Sequence, residues 1–225
     1  MDPYVYPETN VLKNLRGLQD AEQLAFFETN HVTRRILELS REPIAGRLDS
    51  AHLQAIHQYI FQDVFEWAGK FRTVNICRSD QYYFAFWDRI EPALFDTLGR
   101  LTKERYLAGM APAAFSSRAG FFLGEINAVH PFRDGNGRTQ REFIRQLAVR
   151  NGYPLNWHGV TREQMGAASK LSFQKGDNTG LAELMFGGVD PVGDSDVIGL
   201  PDAYAKSRGP FVGAGSVWDQ HFELL

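Results

Sequence analysis

The chain of 225 residues has a single cysteine, Cys77, so no internal disulfide can form and no Cys cluster can hold zinc. No His or basic group is positioned by sequence to activate Cys77, which reads as a free, reduced thiol. Long apolar runs are missing too. Nothing approaches the ~20 residues that span a bilayer, and Met1-Asp2-Pro3-Tyr4 lacks the basic and apolar regions of a signal peptide. These absences predict a cytoplasmic protein with no membrane partner. A dense basic run is likewise absent. Lys and Arg number 24 against 27 Asp and Glu, with a net charge of −3 and a pI near 6.1. Counterion release from a nucleic acid is therefore no evident driving force, and no direct nucleic-acid ligand is expected. No internal repeat occurs. What is present is 44% hydrophobic, 13% aromatic and 23% charged, too apolar for disorder. The length fits one main domain with a short appendage.

Helical periodicity dominates from Asp20 to about Phe186. Leu53, Ile56, Ile60, Val64 and Trp67 form one apolar stripe, with Asp49 or Ser50 as cap and Gly69 as terminator. A helix over 89–104 is expected from Asp88 and Glu91, which resemble a capping box, and from Leu94, Leu98 and Leu101. Further helices are expected from Pro112 toward Asn127, over 136–150 with Gly152 at its end, after the Thr161–Gln164 cap, and over 179–186. Between them, FRTVNICRSDQYYFAF (71–86) alternates β-favouring residues around Ser79-Asp80 and reads as a β-hairpin. The fold class is predominantly α with a small β-hairpin flap. Residues 1–186 form the domain, and the Gly/Pro-rich 187–225 reads as a tail or linker.

Chemistry concentrates in His130-Pro131-Phe132-Arg133-Asp134-Gly135-Asn136-Gly137-Arg138-Thr139-Gln140-Arg141, between two helices. Gly135 and Gly137 permit positive φ and close backbone approach to an anion, and the helix that follows aims its unpaired N–H groups at the same point. Arg138 and Arg141, three apart, project from one side as guanidinium forks suited to β- and γ-phosphates. Asp134 offers the one hard oxygen ligand that Mg²⁺ needs beside phosphates and water. A neutral His130 could take a proton from an attacking hydroxyl. Taken singly, each has a plainer reading: a helix-ending histidine, a simple turn, a surface cap, a solvated helix face. Their joint spacing favours a site. Phe132, apolar within a polar loop, is expected to anchor it. His52 and His57, five apart, do not share a helix face, so a metal site there is not expected.

HPFRDGNGRTQR resembles, residue for residue, the Fic motif HPFx(D/E)GNGRxxR, and DVFEWAGKFR (63–72) is similar to the family's DVYxWAGxxR segment. The opening DPYVYPETNVLKNL resembles toxin-type Fic proteins of bacterial toxin–antitoxin pairs. The resemblance implies a Fic-type helical bundle and a protein adenylyltransferase that moves AMP from Mg-ATP to a Tyr, Ser or Thr hydroxyl. It implies His130 as base, Asp134 as Mg²⁺ ligand, Gly135, Asn136 and Gly137 lining an anion hole, and Arg138 and Arg141 on the β- and γ-phosphates. It also implies a target docked on the flap by strand addition, with type II topoisomerases as the expected target. Two other readings stand beside it: transfer of a phosphoryl group or another nucleotide, and a binding module without turnover. Many family members are held off by an (S/T)xxxE(G/N) helix. Only Thr179–Leu184 approaches that pattern, with Leu184 in place of Gly or Asn. A separate antitoxin presenting such a helix to Arg141 is therefore expected, with the tail as the alternative location of the inhibitor.

Overall fold

The structure, a computed structural model, describes residues 2–79, 82–157 and 159–189. The expected tail lies, from residue 190 onward, outside the described residues, as does the Asp80 turn of the hairpin. Among the described residues no helix is long and apolar enough to cross a membrane.

Among the described residues, seven α-helices and one two-stranded sheet build the domain. Helix α1 (Ala21–Arg41) starts at Asp20, whose carboxylate accepts from Gln23 N–H, and buries Leu24, Val32 and Leu39. Helix α2 (Ser50–Phe61) is capped by Asp49, which accepts from His52 N–H at 2.9 Å. The helix stops at Phe61, so Val64 and Trp67 extend the apolar stripe from a series of turns rather than from the helix. Asp63 helps to hold those turns, bound by Arg35 Nε at 2.7 Å and Arg34 at 3.0 Å from α1. Gly69 belongs to the turns. Its φ of +80° and its approach to Gln58, where a Cβ would sit 2.8 Å from Gln58 Cβ, fold the chain back onto α2.

The flap is smaller than expected. Strand β1 (Cys77–Ser79) pairs antiparallel with β2 (Tyr82–Tyr83), and Phe84 N–H extends the ladder to Ile76 C=O at 3.3 Å. Residues 71–75 are irregular because Arg72 and Asn75 engage other segments. Asp88 does not cap the next helix. It lies in a 3₁₀ turn, Trp87–Arg89, and α3 (Ile90–Lys103) follows with no side-chain cap. The 3₁₀ turn satisfies by i→i+3 bonding what the cap would have satisfied.

Helix α4 (Pro112–Val129) is the hub, packed on α3, α5 (Asn136–Arg150), α6 (Arg162–Lys175) and α7 (Thr179–Gly188). The Thr161–Gln164 capping box opens α6, and Gly152 follows α5 with φ +79°. Helix α7 runs two residues past the expected 186, and Val189 bridges to Leu155. The α4–α7 seam depends on glycine. A Cβ on Gly120 would lie 2.9 Å from Ala182 N, and one on Gly124 would run into Asn178 Oδ1 and Ser172 Oγ. Gly99, inside α3, faces open space.

The two positions predict substitutions of opposite sign. Gly124→Ala should destabilise by about 1–3 kcal/mol through overpacking, whereas Gly99→Ala should stabilise by about 0.5–1 kcal/mol through helix propensity. Urea midpoints at constant m-value measure both, and equal signs would contradict the seam.

Candidate active site

The motif spans the end of α4, a buried loop and the start of α5. Helix α4 ends at His130, a left-handed residue (φ 49°, ψ 63°) whose N–H still donates to Ile126 C=O at 3.0 Å. A non-glycine residue in that region costs about 1–3 kcal/mol and persists only where its surroundings over-determine it. Arg72 supplies that constraint. It is 2% exposed and meets no carboxylate among the described residues. Its Nε donates to His130 C=O at 2.8 Å, Nη1 to Val74 C=O at 2.7 Å, and Nη2 to Val129 C=O at 3.2 Å and to Ala85 C=O. Its backbone N–H donates to Pro131 C=O at 2.9 Å. Burial lowers the guanidinium to about 10, which leaves it charged at neutral pH beside the negative end of the α4 dipole.

The His130 ring is fixed by its own neighbours. Nδ1 lies 3.3 Å from Asn127 C=O, which can only accept, so the proton sits on Nδ1 and Nε2 is left as the acceptor. Phe84 stacks on the ring at 3.8 Å between centroids and 16° between planes. Burial holds the imidazole down, to about 3. The Asn127 carbonyl opposes that shift, and the charges of Arg72 and Arg78 add to it.

Beneath the loop, Phe132 is fully buried and stacks on His57 at 3.8 Å, the anchoring expected of it. His57 accepts from Gly69 N–H at Nδ1 (2.8 Å) and donates from Nε2 to Asp134 C=O (2.9 Å), and burial lowers it to about 3. Asn136 is 1% exposed. Its Oδ1 accepts from Phe132 N–H and its Nδ2 donates to Phe132 C=O, both at 2.8 Å, so its side chain closes the loop. Of the two motif glycines only Gly135 is left-handed (φ +80°), and a Cβ there would run into the Phe61 ring. Gly137 lies in the first turn of α5 with no positive φ, which corrects the expectation for it.

That first turn carries N–H groups with no intrahelical acceptor, the ordinary basis of an anion site. Arg138, 5% exposed, lies over the Phe61 ring at 4.5 Å, and it pairs with Glu28 of α1 at 2.6 Å and with Asp134 at 2.9 Å. Arg141 stands three residues further along α5 and is half-buried. The expected residues are therefore brought to one junction of α4, loop and α5. Among the described residues no group of three or more His, Cys, Asp or Glu is placed to hold a metal, and Asp134 is the carboxylate that the loop itself brings to that helix start, with Glu28 of α1 also paired to Arg138. Sequence reasoning missed Glu28, His57, Arg72 and Phe84. A signal existed for Arg72, which ends the DVFEWAGKFR segment, and for His57, a polar residue beside the apolar positions Leu53, Ile56 and Ile60.

The sequence model described as the Fic/DOC family matches residues 47–148. Protein adenylyltransferase VbhT of Bartonella schoenbuchensis is 45% identical over 172 residues, which are 76% of this chain and 36% of that protein, so the match spans about a third of VbhT. A probable protein adenylyltransferase Fic of Salmonella typhimurium is 38% identical over 179 residues, covering 76% of this chain and 87% of that one. Among solved structures, the BepC protein of Bartonella tribocorum with bound AMPPNP superposes with a TM-score of 0.76 at 26% identity, over 84% of this chain and 96% of that one.

His52, His57 and His130 are all held below the ordinary histidine value, mainly by burial. The unfolded chain therefore takes up protons below about pH 6.5 that the fold refuses, and stability should fall from there toward pH 4.5, by about 1.4 kcal/mol per pH unit per proton. His57→Gln should remove one proton's share of that slope. An unchanged slope in a pH series of urea midpoints would contradict a neutral His57.

Proposed function

The chain belongs to the Fic/DOC family, and from that premise we propose that it is a protein adenylyltransferase that moves AMP from Mg-ATP to a Tyr, Ser or Thr hydroxyl of a target protein. The observation that carries the reading is the His130 tautomer. With its proton on Nδ1 and Nε2 free, the ring is set to accept a proton beside the helix N-terminus that would hold a nucleotide's phosphates. The names of the relatives and the AMPPNP bound to BepC support it.

In this reading the target oxygen bonds to the α-phosphorus, the bond from that phosphorus to the β-phosphate oxygen breaks, pyrophosphate leaves, and the hydroxyl proton passes to His130 Nε2. The hydroxyl becomes strongly acidic only as it bonds to phosphorus, so a neutral acceptor of low basicity held in place is sufficient. Positioning and charge compensation do the rest. The N–H groups of Gly135, Asn136 and Gly137 would line the anion hole, with Arg138 and Arg141 on the outer phosphates. Asp134 would hold Mg²⁺, and its single carboxylate fits that ion, which takes one or two carboxylates and completes its shell with phosphate and water. The metal would offset charge on the phosphates.

The flap is the proposed dock for the target. Tyr82 and Tyr83 are exposed on β2, and a two-stranded sheet leaves edges for an added strand. Control is proposed to come from a separate antitoxin whose Glu meets Arg141. Glu183 of α7 is exposed, and α7 buries Leu181 and Met185 against the core, as a packing helix would.

With ATP labelled at the α- or γ-phosphate and a cell lysate, label should transfer from the α position alone. γ-Only transfer would mean phosphorylation, and none a binding module. His130→Ala should lower transfer by about 10²–10⁴-fold with ATP affinity retained. Arg141→Ala should weaken ATP binding by about 1.5–3 kcal/mol, read by calorimetry.

A further inference from the structure

His130 is held from four directions, and three of them are backbone: the left-handed helix end, the Arg72 bond to its carbonyl, and the contact of Nδ1 with Asn127 C=O. The first two act on the backbone and do not reach the imidazole. The third ties one edge of the ring through Nδ1 and, at 3.3 Å, is a long hydrogen bond that restrains the ring plane only loosely. The remaining contact is Phe84, parallel to the ring within 16° and 3.8 Å away.

Phe84 is itself tightly located. It is 8% exposed, while Tyr82 and Tyr83 beside it are 39% and 55% exposed. Its N–H donates to Ile76 C=O, and the next residue, Ala85, donates to Ala128 C=O of α4 at 3.2 Å and accepts from Arg72. Its ring also meets Phe173 of α6, 5.0 Å between centroids. The aromatic run of the flap therefore divides. Two rings face outward and the third faces the base.

We propose that Phe84 is a positioning residue for the transfer reaction, its ring setting the plane of His130 and shielding one face of the imidazole from water. The proposal rests on the reading of His130 as the base. A flat ring is required because an aliphatic side chain of similar volume would fill the space without fixing an orientation. The charged groups facing His130 are Arg72, from the segment between α2 and β1, and Arg78 of β1. Helix α4 contributes the Asn127 carbonyl, and from α6 Phe173 meets the Phe84 ring. Shielding by Phe84 and repulsion by the two arginines act in the same direction, toward a neutral base. The flap would then align the base as well as receive the target, and both functions would depend on one anchored position.

The test uses the full chain with ¹³C-labelled histidine rings, following the His130 titration by NMR alongside AMP transfer. In Phe84→Ala the His130 pKa should rise toward the ordinary ~6.5. kcat should fall by about 10- to 100-fold, with the KM for ATP nearly unchanged. Phe84→Tyr should restore both the titration and kcat, and Phe84→Leu should restore neither fully. Where Phe84→Ala does not fold, Phe84→Leu against Phe84→Tyr carries the comparison. An unshifted His130 titration with undiminished kcat in Phe84→Leu would overturn the proposal, as would a KM for ATP rising in step with the loss of kcat. His130→Ala separates the two failures. Wild-type transfer by that variant removes the base assignment, whereas the NMR titration judges the stack on its own.

Discussion

A buried loop must satisfy its own backbone, because water cannot reach its N–H and C=O groups and each one left unpaired costs about 1–3 kcal/mol. The loop between α4 and α5 meets this constraint with groups from distant segments, Arg72 and His57, and with Asn136 at its own end. The carbonyls of His130 and Pro131 go to Arg72, both polar groups of Phe132 to Asn136, and the carbonyl of Asp134 to His57. Gly135 C=O begins α5 by accepting from Thr139. With its backbone so occupied the loop has one conformation, and the positions of His130, Asp134 and the α5 N-terminus follow from it.

The electrostatic arrangement is equally one-sided. Two imidazoles at the site are kept neutral by burial, while one guanidinium is kept charged without a carboxylate. A carboxylate beside Arg72 would favour a protonated His130 and remove the acceptor. Carbonyl oxygens solvate the cation without that effect, since they bring dipoles and no net charge. Arg138 stands in the opposite environment, between Glu28 and Asp134 over the Phe61 ring, so its geometry is set before any anion arrives.

What could be read from the sequence was what local rules govern. The helices, the Thr161 capping box, the burial of Phe132 and the gathering of the candidate site residues at one junction followed from spacing and residue type, and residues 130–141 carried the family. The errors arose where distant residues override local preference. The stripe through Val64 and Trp67 suggested a longer α2, but Asp63 is held by Arg35, 28 residues earlier, and the chain leaves the helix. Asp88 had the composition of a cap, yet a 3₁₀ turn took its place. The hairpin was overestimated because Arg72 and Asn75 are drawn to α4 and to Trp87. His57, Arg72 and Glu28 act on partners 77, 58 and 110 residues away, distances at which periodicity carries no information.

Arg72 recognises the flap only through the carbonyl oxygens of Val74 and Ala85. Every amino acid brings the same carbonyl, so the side chains at those two positions are not inputs to the attachment. The outward aromatics, Tyr82, Tyr83, Phe86 and Trp87, also stand apart from it. Point mutation at the outward positions can therefore change the surface that the flap displays while its attachment through Arg72 stays in register. A scaffold built this way is modular within a single domain: its display face and its anchorage answer to different atoms.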